Sequence, residues 1–174
     1  MKINYNVTEE AFLEFNLFHA KNSKAVKKSM TIQRFLLPVI YLLVAVFLSP
    51  ILDIPILFLF IPFLLIGVLW GIFYPAYFYY HVKRVAKKMI REGKNEGMFG
   101  KHSMIFTEEG VREISPKGET AFSWPGIEKL EEDQTNLYLY NSGMSAFIVP
   151  KNSLADVEGI RNYVLSKVGQ AAQV

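Results

Sequence analysis

The stretch that decides the fold is FLLPVIYLLVAVFLSPIL, residues 35–52, which is followed after a short turn by the apolar residues 56–80. Between Phe35 and Val82 there is no lysine or arginine, and Asp53 is the only acid. A helix that crosses a bilayer needs roughly 17–25 mostly apolar residues. Both runs meet this requirement. The sequence therefore predicts a transmembrane helical hairpin over residues 35–80.

The connection between the two runs is predicted to be a tight turn. Pro50 and Pro55 flank it, and proline disfavours a continuous helix. Asp53 is interpreted as a solvated turn residue, because a charge inside the bilayer costs several kcal/mol. The alternative is a buried helical core in a soluble protein. That alternative would need a core of more than forty residues without one basic group.

Basic residues flank the apolar block on both sides. Residues 21–34 and residues 83–94 each carry a net charge of +5, whereas the turn carries no basic residue. Because basic flanks stay in the cytoplasm, we expect a multi-pass protein of the cell membrane with both termini cytoplasmic. This placement of charge argues against a nucleic-acid partner, although the pI is near 9.0. The second cluster is a candidate contact for anionic lipid: Lys83, Arg84, Lys87, Lys88 and Arg91.

Residues 1–34 are predicted to form an N-terminal strand and an amphipathic helix. Residues 2–7 alternate in polarity, and Thr8 is a candidate N-cap for a helix that runs to about Met30. One face of this helix is mainly aromatic and carries Ala11, Phe12, Phe15, Phe18 and Val26. Such a face suits a helix lying at the membrane interface. It equally suits a helix packed on a soluble module, and the sequence leaves both interpretations open.

The chain after the hairpin changes character twice. Residues 81–97 are predicted to be a basic juxtamembrane helix, which stops at Gly93, and a linker. Residues 98–174 are predicted to be a cytoplasmic β-rich module that folds alone, since short strands alternate with turns rich in Gly, Pro and Asn. The predicted strands are 102–107, 111–115, 119–124, 127–132, 136–140 and 146–149, and a helix follows over 154–168. The fold class is thus an α+β membrane protein.

No pattern in the chain indicates an enzyme, and we expect neither catalytic residues nor a bound metal or other cofactor. The chain has no cysteine, and its three histidines lack the spacing of a metal site. No nucleophile elbow and no phosphate-binding glycine loop is present. A membrane enzyme is accordingly the least favoured class of function.

Three pairs of residues are candidate contact points. Glu108 and Glu109 form an acidic turn between two predicted strands. Tyr138 and Tyr140 share one face of a strand, and we expect that face to be half-exposed while the leucines beside them pack in the core. Gly67 and Gly71 lie four residues apart on the second predicted span, a spacing that permits close packing of helices.

Several residues of the β-rich module, in their order along the chain, resemble the YcxB-like family of bacterial membrane proteins. They are Ser123-Trp124 with Ile127, then Leu137-Tyr138-Leu139-Tyr140, then Phe147-Ile148-Val149-Pro150-Lys151. The resemblance implies a bacterial inner-membrane protein with two transmembrane helices and a small module similar to pleckstrin-homology folds, capped by a C-terminal helix. It implies no biochemical activity.

Modules of the pleckstrin-homology type invite a comparison with phosphoinositide binding, which needs basic residues in the first loop between strands. In the predicted strand order that loop is Glu108-Glu109-Gly110, and residues 98–174 carry a net charge of −3. Phosphate groups would be repelled. The sequence therefore argues against a module that binds phosphoinositide headgroups.

The function favoured by the sequence is a membrane-anchored cytoplasmic module that docks another protein. Its expected partners are the lipid bilayer and a protein, and a homo-oligomer is compatible with the pattern. The alternative is an accessory or regulatory subunit of a membrane transporter or export system, in which the hairpin itself contacts partner helices.

Overall fold

The computed structural model describes residues 1–92 and 96–171, which form two compact units. The β unit comprises Met1–Phe18 and the described part of Val85–Val174, and the hairpin unit comprises His19–Arg84. This division differs from the predicted boundary at residue 98. The reason is that the N-terminal strand and the first helix pack with the later strands. Gly93, the expected helix stop, lies outside the described residues.

The hairpin unit is built from two long helices. Helix α1 (Glu9–Asn22) begins in the β unit and ends before Ser23, and α2 (Lys24–Leu52) follows at once. The helix predicted to continue to Met30 is broken here because the Ser23 hydroxyl accepts a hydrogen bond from the Val26 amide at 3.4 Å and caps α2. Helix α3 runs without interruption over Ile56–Arg91, so the second predicted span and the basic helix after it are one element.

The turn between α2 and α3 is shorter than the segment from Pro50 to Pro55 that the sequence predicted for it. Pro50 lies inside the last turn of α2, and the helix ends only at Leu52. Asp53 adopts the left-handed conformation with a φ of 53° and its amide bonds to the Ser49 carbonyl. A left-handed residue after the last helical turn is a common way to end a helix.

The apolar side chains of the hairpin helices face outward. Ile51 and Phe58 are 74% and 73% exposed, and many other large apolar residues of both helices are also exposed. The alternative of a helical core buried within this chain is therefore contradicted. Within the part of the chain that the structure describes, α2 and α3 are the two helices long and apolar enough to cross a membrane.

The β unit contains two antiparallel sheets. The first has the order β1-β2-β3-β4 and the second the order β5-β6-β7. Their strands are β1 (Lys2–Val7), β2 (Gly100–Phe106), β3 (Gly110–Ser115), β4 (Gly118–Ser123), β5 (Lys129–Glu132), β6 (Asn136–Tyr140) and β7 (Ala146–Pro150), and helix α4 (Val157–Ala171) closes the unit. The predicted strands are all present: β1 and β6 have the predicted bounds, and the ends of the others are shifted.

Strand β1 pairs with β2 along its whole length, from Lys2 opposite Ile105 to Val7 opposite Gly100. Tyr5 and Val7 thereby enter the main core with Met104 and Trp124. Because β1 and β2 are neighbours in the sheet, the whole hairpin is an insertion between two paired strands.

Candidate functional site

The acidic turn lies beside the free edge of the first sheet. Residues 107–109 join β2 to β3, and β4 is the last strand of its sheet, so its outer edge has no strand neighbour among the residues described. A groove of about 480 Å³ runs here and is lined by residues of the turn, β3 and β4, including Glu108, Glu109, Arg112 and Phe122. An exposed strand edge presents unpaired N–H and C=O groups that can pair with another chain.

The two glutamates of the turn are not equivalent. Glu108 accepts a hydrogen bond from the Lys167 ammonium of α4 at 2.5 Å, and this bond together with the charge on Lys167 lowers the pKa of the Glu108 carboxyl. The same contact raises the pKa of Lys167. The Glu109 carboxylate has no ion pair or hydrogen bond to any described residue. Glu109 is therefore the acid that remains available to a ligand at the groove.

The sequence suggested that the acidic turn is the first connection between strands, but the structure contradicts this. Strand β1 precedes β2 in the same sheet, so the first connection is the 92-residue segment 8–99 that contains the hairpin. The acidic turn belongs to the second connection. The part of the charge argument that placed the first loop at Glu108-Glu109-Gly110 therefore loses its basis, whereas the net charge of −3 over residues 98–174 is unaffected.

Tyr138 and Tyr140 are not half-exposed, which corrects the prediction from strand alternation. Their exposed fractions are 0% and 1%. One face of β6 packs Leu137 and Leu139 into the main core, and the opposite face packs the tyrosines under α1. Burial raises the pKa of the Tyr140 phenol to about 12, with a further contribution from the charge on Glu131. Neither tyrosine is available to a partner.

The cover over these tyrosines is the aromatic face of α1. The ring of Phe15 lies 5.4 Å from the ring of Tyr138 and 5.9 Å from that of Tyr140, centroid to centroid. Phe18 lies 4.9 Å from Tyr138. Of the two interpretations left open by the sequence, packing on the β module is therefore the one observed for the first part of α1.

A polar network at the end of β6 was not anticipated from the sequence. The Glu14 carboxylate of α1 accepts hydrogen bonds from the Thr135 hydroxyl and the buried Asn136 amide, each at 2.8 Å. Asp133 accepts a hydrogen bond from the Tyr138 hydroxyl at 2.5 Å. Burial alone would raise the pKa of Asp133, but this bond and those from the backbone amides of Thr135 and Asn136 leave it lowered. No local spacing reveals the network, since Glu14 is 121 residues from Thr135.

A second buried polar group connects the first three strands. His102 is 5% exposed, and its Nδ1 lies 3.0 Å from the Glu113 carboxylate, which also accepts a hydrogen bond from the Tyr5 hydroxyl at 2.5 Å. Burial raises the pKa of Tyr5, and the nearby charge of Glu113 raises it further. The phenol consequently stays protonated and donates to Glu113. The group ties β1 to β3 across β2.

The candidate lipid contacts occupy the last turns of α3. Lys83, Arg84, Lys87, Lys88 and Arg91 are all exposed. Lys88 approaches Glu92 at 3.5 Å on the surface. Exposed ion pairs contribute little to stability, so the contact with Glu92 does not fix the Lys88 side chain in place.

The two glycines of α3 have different surroundings. A Cβ atom added at Gly67 would lie 3.1 Å from the Cβ of Pro38, so α2 approaches α3 closely at that point. A Cβ added at Gly71 would meet nothing within 4 Å. The Gly71 carbonyl instead accepts a hydrogen bond from the Arg34 Nε at 2.7 Å, and the Tyr74 hydroxyl donates to the Gln33 side chain nearby. Polar contacts therefore join the two helices beside Gly71.

Within the described ranges, no group of three or more acidic, histidine or cysteine side chains is placed to hold a metal ion. No curated protein and no solved structure matches the chain. A family model described as YcxB-like protein does match, over residues 106–164, which include the strands from β3 to β7 and the first half of α4. The resemblance to the YcxB-like family is therefore confirmed for residues 106–164 of this chain.

Proposed function

We propose that this protein is a membrane-anchored docking module, in which the hairpin unit holds the chain in the cell membrane and the β unit binds another protein on the cytoplasmic side. Exposure of the apolar side chains of α2 and α3 supports the anchor. Each large apolar side chain left in water forgoes roughly 1.5–3 kcal/mol of burial. The +5 charge on both flanks supports the orientation.

The β unit, in this proposal, is a pleckstrin-homology-like module with a membrane hairpin inserted after its first strand. A four-stranded and a three-stranded antiparallel sheet, followed by a C-terminal helix, are consistent with that fold. Insertion between paired strands has a mechanical consequence. The chain enters and leaves the membrane segment through elements that are both part of the β unit, so the module is tethered at two points.

The observation that carries the docking function is the free edge of β4 beside the groove and Glu109. An extended segment of a partner protein can add as a further strand to such an edge, where its backbone supplies hydrogen bonds and its side chains supply specificity. Because Glu109 is available and Glu108 is already paired with Lys167, we expect the partner segment to carry a basic residue that reaches Glu109.

Affinity capture from native membranes after mild crosslinking tests this function. Glu109→Lys in the full chain should reduce recovery of the crosslinked partner at least several-fold. Glu128→Lys is the matched control, because it makes the same change of charge at an exposed residue that lies outside the groove. Recovery that is equal for wild type, Glu109→Lys and Glu128→Lys would reject the groove as the docking site.

The alternative function, an accessory subunit of a transporter or export system, is favoured by the open position at Gly71 on the hairpin surface. A partner helix could approach closely there. A crosslinked partner that is lost with Gly71→Leu but retained with Glu109→Lys would support this alternative over docking at β4.

A further inference from the structure

We propose that the hairpin unit has a binding site for one anionic phospholipid, whose phosphate pairs with Arg34 and whose acyl chain occupies a groove between α2 and α3. This inference rests on the proposed membrane anchoring. It differs from the general attraction of the basic helix end for anionic lipid, because it assigns one side chain and one groove.

The groove lies wholly within the hairpin unit and has a volume of about 220 Å³. Its walls are apolar, and they include Phe35, Pro38, Leu42, Leu64, Gly67 and Gly71. It exists because Gly71 has no side chain to fill the space, while the contact of Gly67 with Pro38 holds the helices together beside it. An apolar groove of this kind on a membrane helix pair accommodates hydrocarbon.

Arg34 lies at one end of this groove. Its Nε donates to the Gly71 carbonyl at 2.7 Å, and both Gly71 and the next residue, Phe35, line the groove. The hydrogen bond holds the guanidinium at the groove while its Nη groups have no hydrogen-bond partner among the residues described. A guanidinium presents a planar set of donors that matches phosphate oxygens in a bidentate manner.

The depth of Arg34 agrees with the level of lipid phosphates. From Asp53 at the turn back to Arg34, α2 rises about 28 Å at 1.5 Å per residue. The hydrocarbon core of a bilayer is about 30 Å thick, so Arg34 reaches its cytoplasmic boundary when the turn lies at the other boundary. At that boundary a long arginine side chain reaches the level of the lipid phosphates and can pair with them.

Charge complementarity selects an anionic lipid over a zwitterionic one. Lys27 and Lys28 precede Arg34 on the same helix, and the surrounding segment 21–34 carries +5. These charges repel the ammonium of a choline or ethanolamine headgroup and attract a headgroup with net negative charge. The site therefore discriminates by headgroup charge, and the acyl groove adds affinity that a free phosphate ion cannot obtain.

Photocrosslinking of the full chain in phosphatidylcholine vesicles tests this site. The probe is phosphatidylglycerol with a diazirine on its acyl chain. The expected crosslinks map to residues 35–42 and 63–71. Arg34→Ala should lower their yield about tenfold, equivalent to about 1.4 kcal/mol, since hydrogen bonds to charged groups are worth about that much or more. Gly71→Leu, which fills the groove, should lower the yield similarly.

Lys117→Ala is the matched control, because it removes one equal charge from an exposed position of the β unit, outside the hairpin unit. It should leave the yield within about twofold of wild type. A diazirine phosphatidylcholine should crosslink weakly, and added inorganic phosphate should not compete. Equal losses for Arg34→Ala and Lys117→Ala, or competition by inorganic phosphate, would overturn the site.

Extraction of the vesicles at alkaline pH separates this inference from the proposed function. A chain that resists extraction but shows no preference for phosphatidylglycerol contradicts the lipid site alone. A chain that is extracted from the vesicles contradicts the membrane anchor and the lipid site together.

Discussion

Trp124 is a buried residue that we expect to contribute strongly to the stability of the β unit. It is 4% exposed, its indole N–H donates to the Thr107 carbonyl at 3.1 Å, and its ring stacks 6.4 Å from that of Phe106. Trp124→Ala should destabilise the β unit by about 3–5 kcal/mol, because a buried aromatic leaves a cavity. Denaturant unfolding in mild detergent, followed by circular dichroism, measures the effect. Met144→Ala, at an 80% exposed position, should change stability by less than about 0.5 kcal/mol.

Asp133 links the stability of the β unit to pH. Its pKa is lowered in the folded state, because hydrogen bonds from Tyr138, Thr135 and Asn136 outweigh the opposing effect of burial. A carboxyl with a lowered folded pKa contributes stability above its unfolded pKa, and that stability is lost as the pH falls through the folded pKa. We expect Asp133→Asn to be less stable at neutral pH and to lose less stability on acidification to about pH 3. Denaturant midpoints of the wild type and of Asp133→Asn, taken from neutral pH down to about pH 3, measure this difference. If the two midpoints fall in parallel with pH, Asp133 is not the group that links stability to pH.

At the scale of elements, β1 and the first part of α1 belong to the same compact unit as the later strands, whereas the sequence predicted that residues 98–174 fold alone. Tyr5 and Val7 of β1 lie in the main core, and Phe12 and Phe15 of α1 cover the second sheet. We expect residues 98–174 alone to show no cooperative unfolding, whereas residues 1–18 joined to 85–174 by a glycine-serine linker should unfold cooperatively. The free energy lost with these aromatic and aliphatic contacts is comparable with the whole stability of a typical small domain.

The two polypeptides can be compared by denaturant titration with circular dichroism. The linked protein with Phe15→Ala serves as an intermediate case, which should unfold at lower denaturant concentration than the linked parent. If residues 98–174 unfold with the same midpoint as the linked protein, β1 and α1 are peripheral to the unit.

For the whole molecule, the proposed topology makes a direct prediction about accessibility. The chain has no native cysteine, so single cysteines report without background. In intact cells, Asp53→Cys should react with an impermeant thiol reagent, and Met144→Cys should not, although Met144 is 80% exposed in the β unit. Met144→Cys should react once the membrane is permeabilised. Reaction of Met144→Cys and protection of Asp53→Cys in intact cells would reverse the orientation.

Local patterns were sufficient for most of the elements, although not for the break between α1 and α2 at Ser23. The apolar run over residues 35–52 and the turn at Asp53 predicted the two long helices, and alternation with Gly-rich turns predicted six strands of the β module. The candidate surface at Glu109 could also be predicted from the sequence, because two consecutive acids in a turn are expected to lie at the surface. The role proposed for Arg34 could not be predicted from the sequence, because its position depends on a hydrogen bond to Gly71, which lies 37 residues further along the chain.

What the sequence determined by itself is whatever depends on neighbours along the chain: helix length, strand alternation, charge flanks and the end of α2 near Asp53. What only the tertiary structure decided is which surfaces remain exposed. Strand alternation placed Tyr138 and Tyr140 on one face, but an aromatic face of α1 more than a hundred residues earlier buries that face. The pairing of β1 with β2 likewise makes the helical hairpin an insertion into the β unit. Burial is a property of contacts between distant segments, and one sequence does not reveal which amphipathic faces will meet.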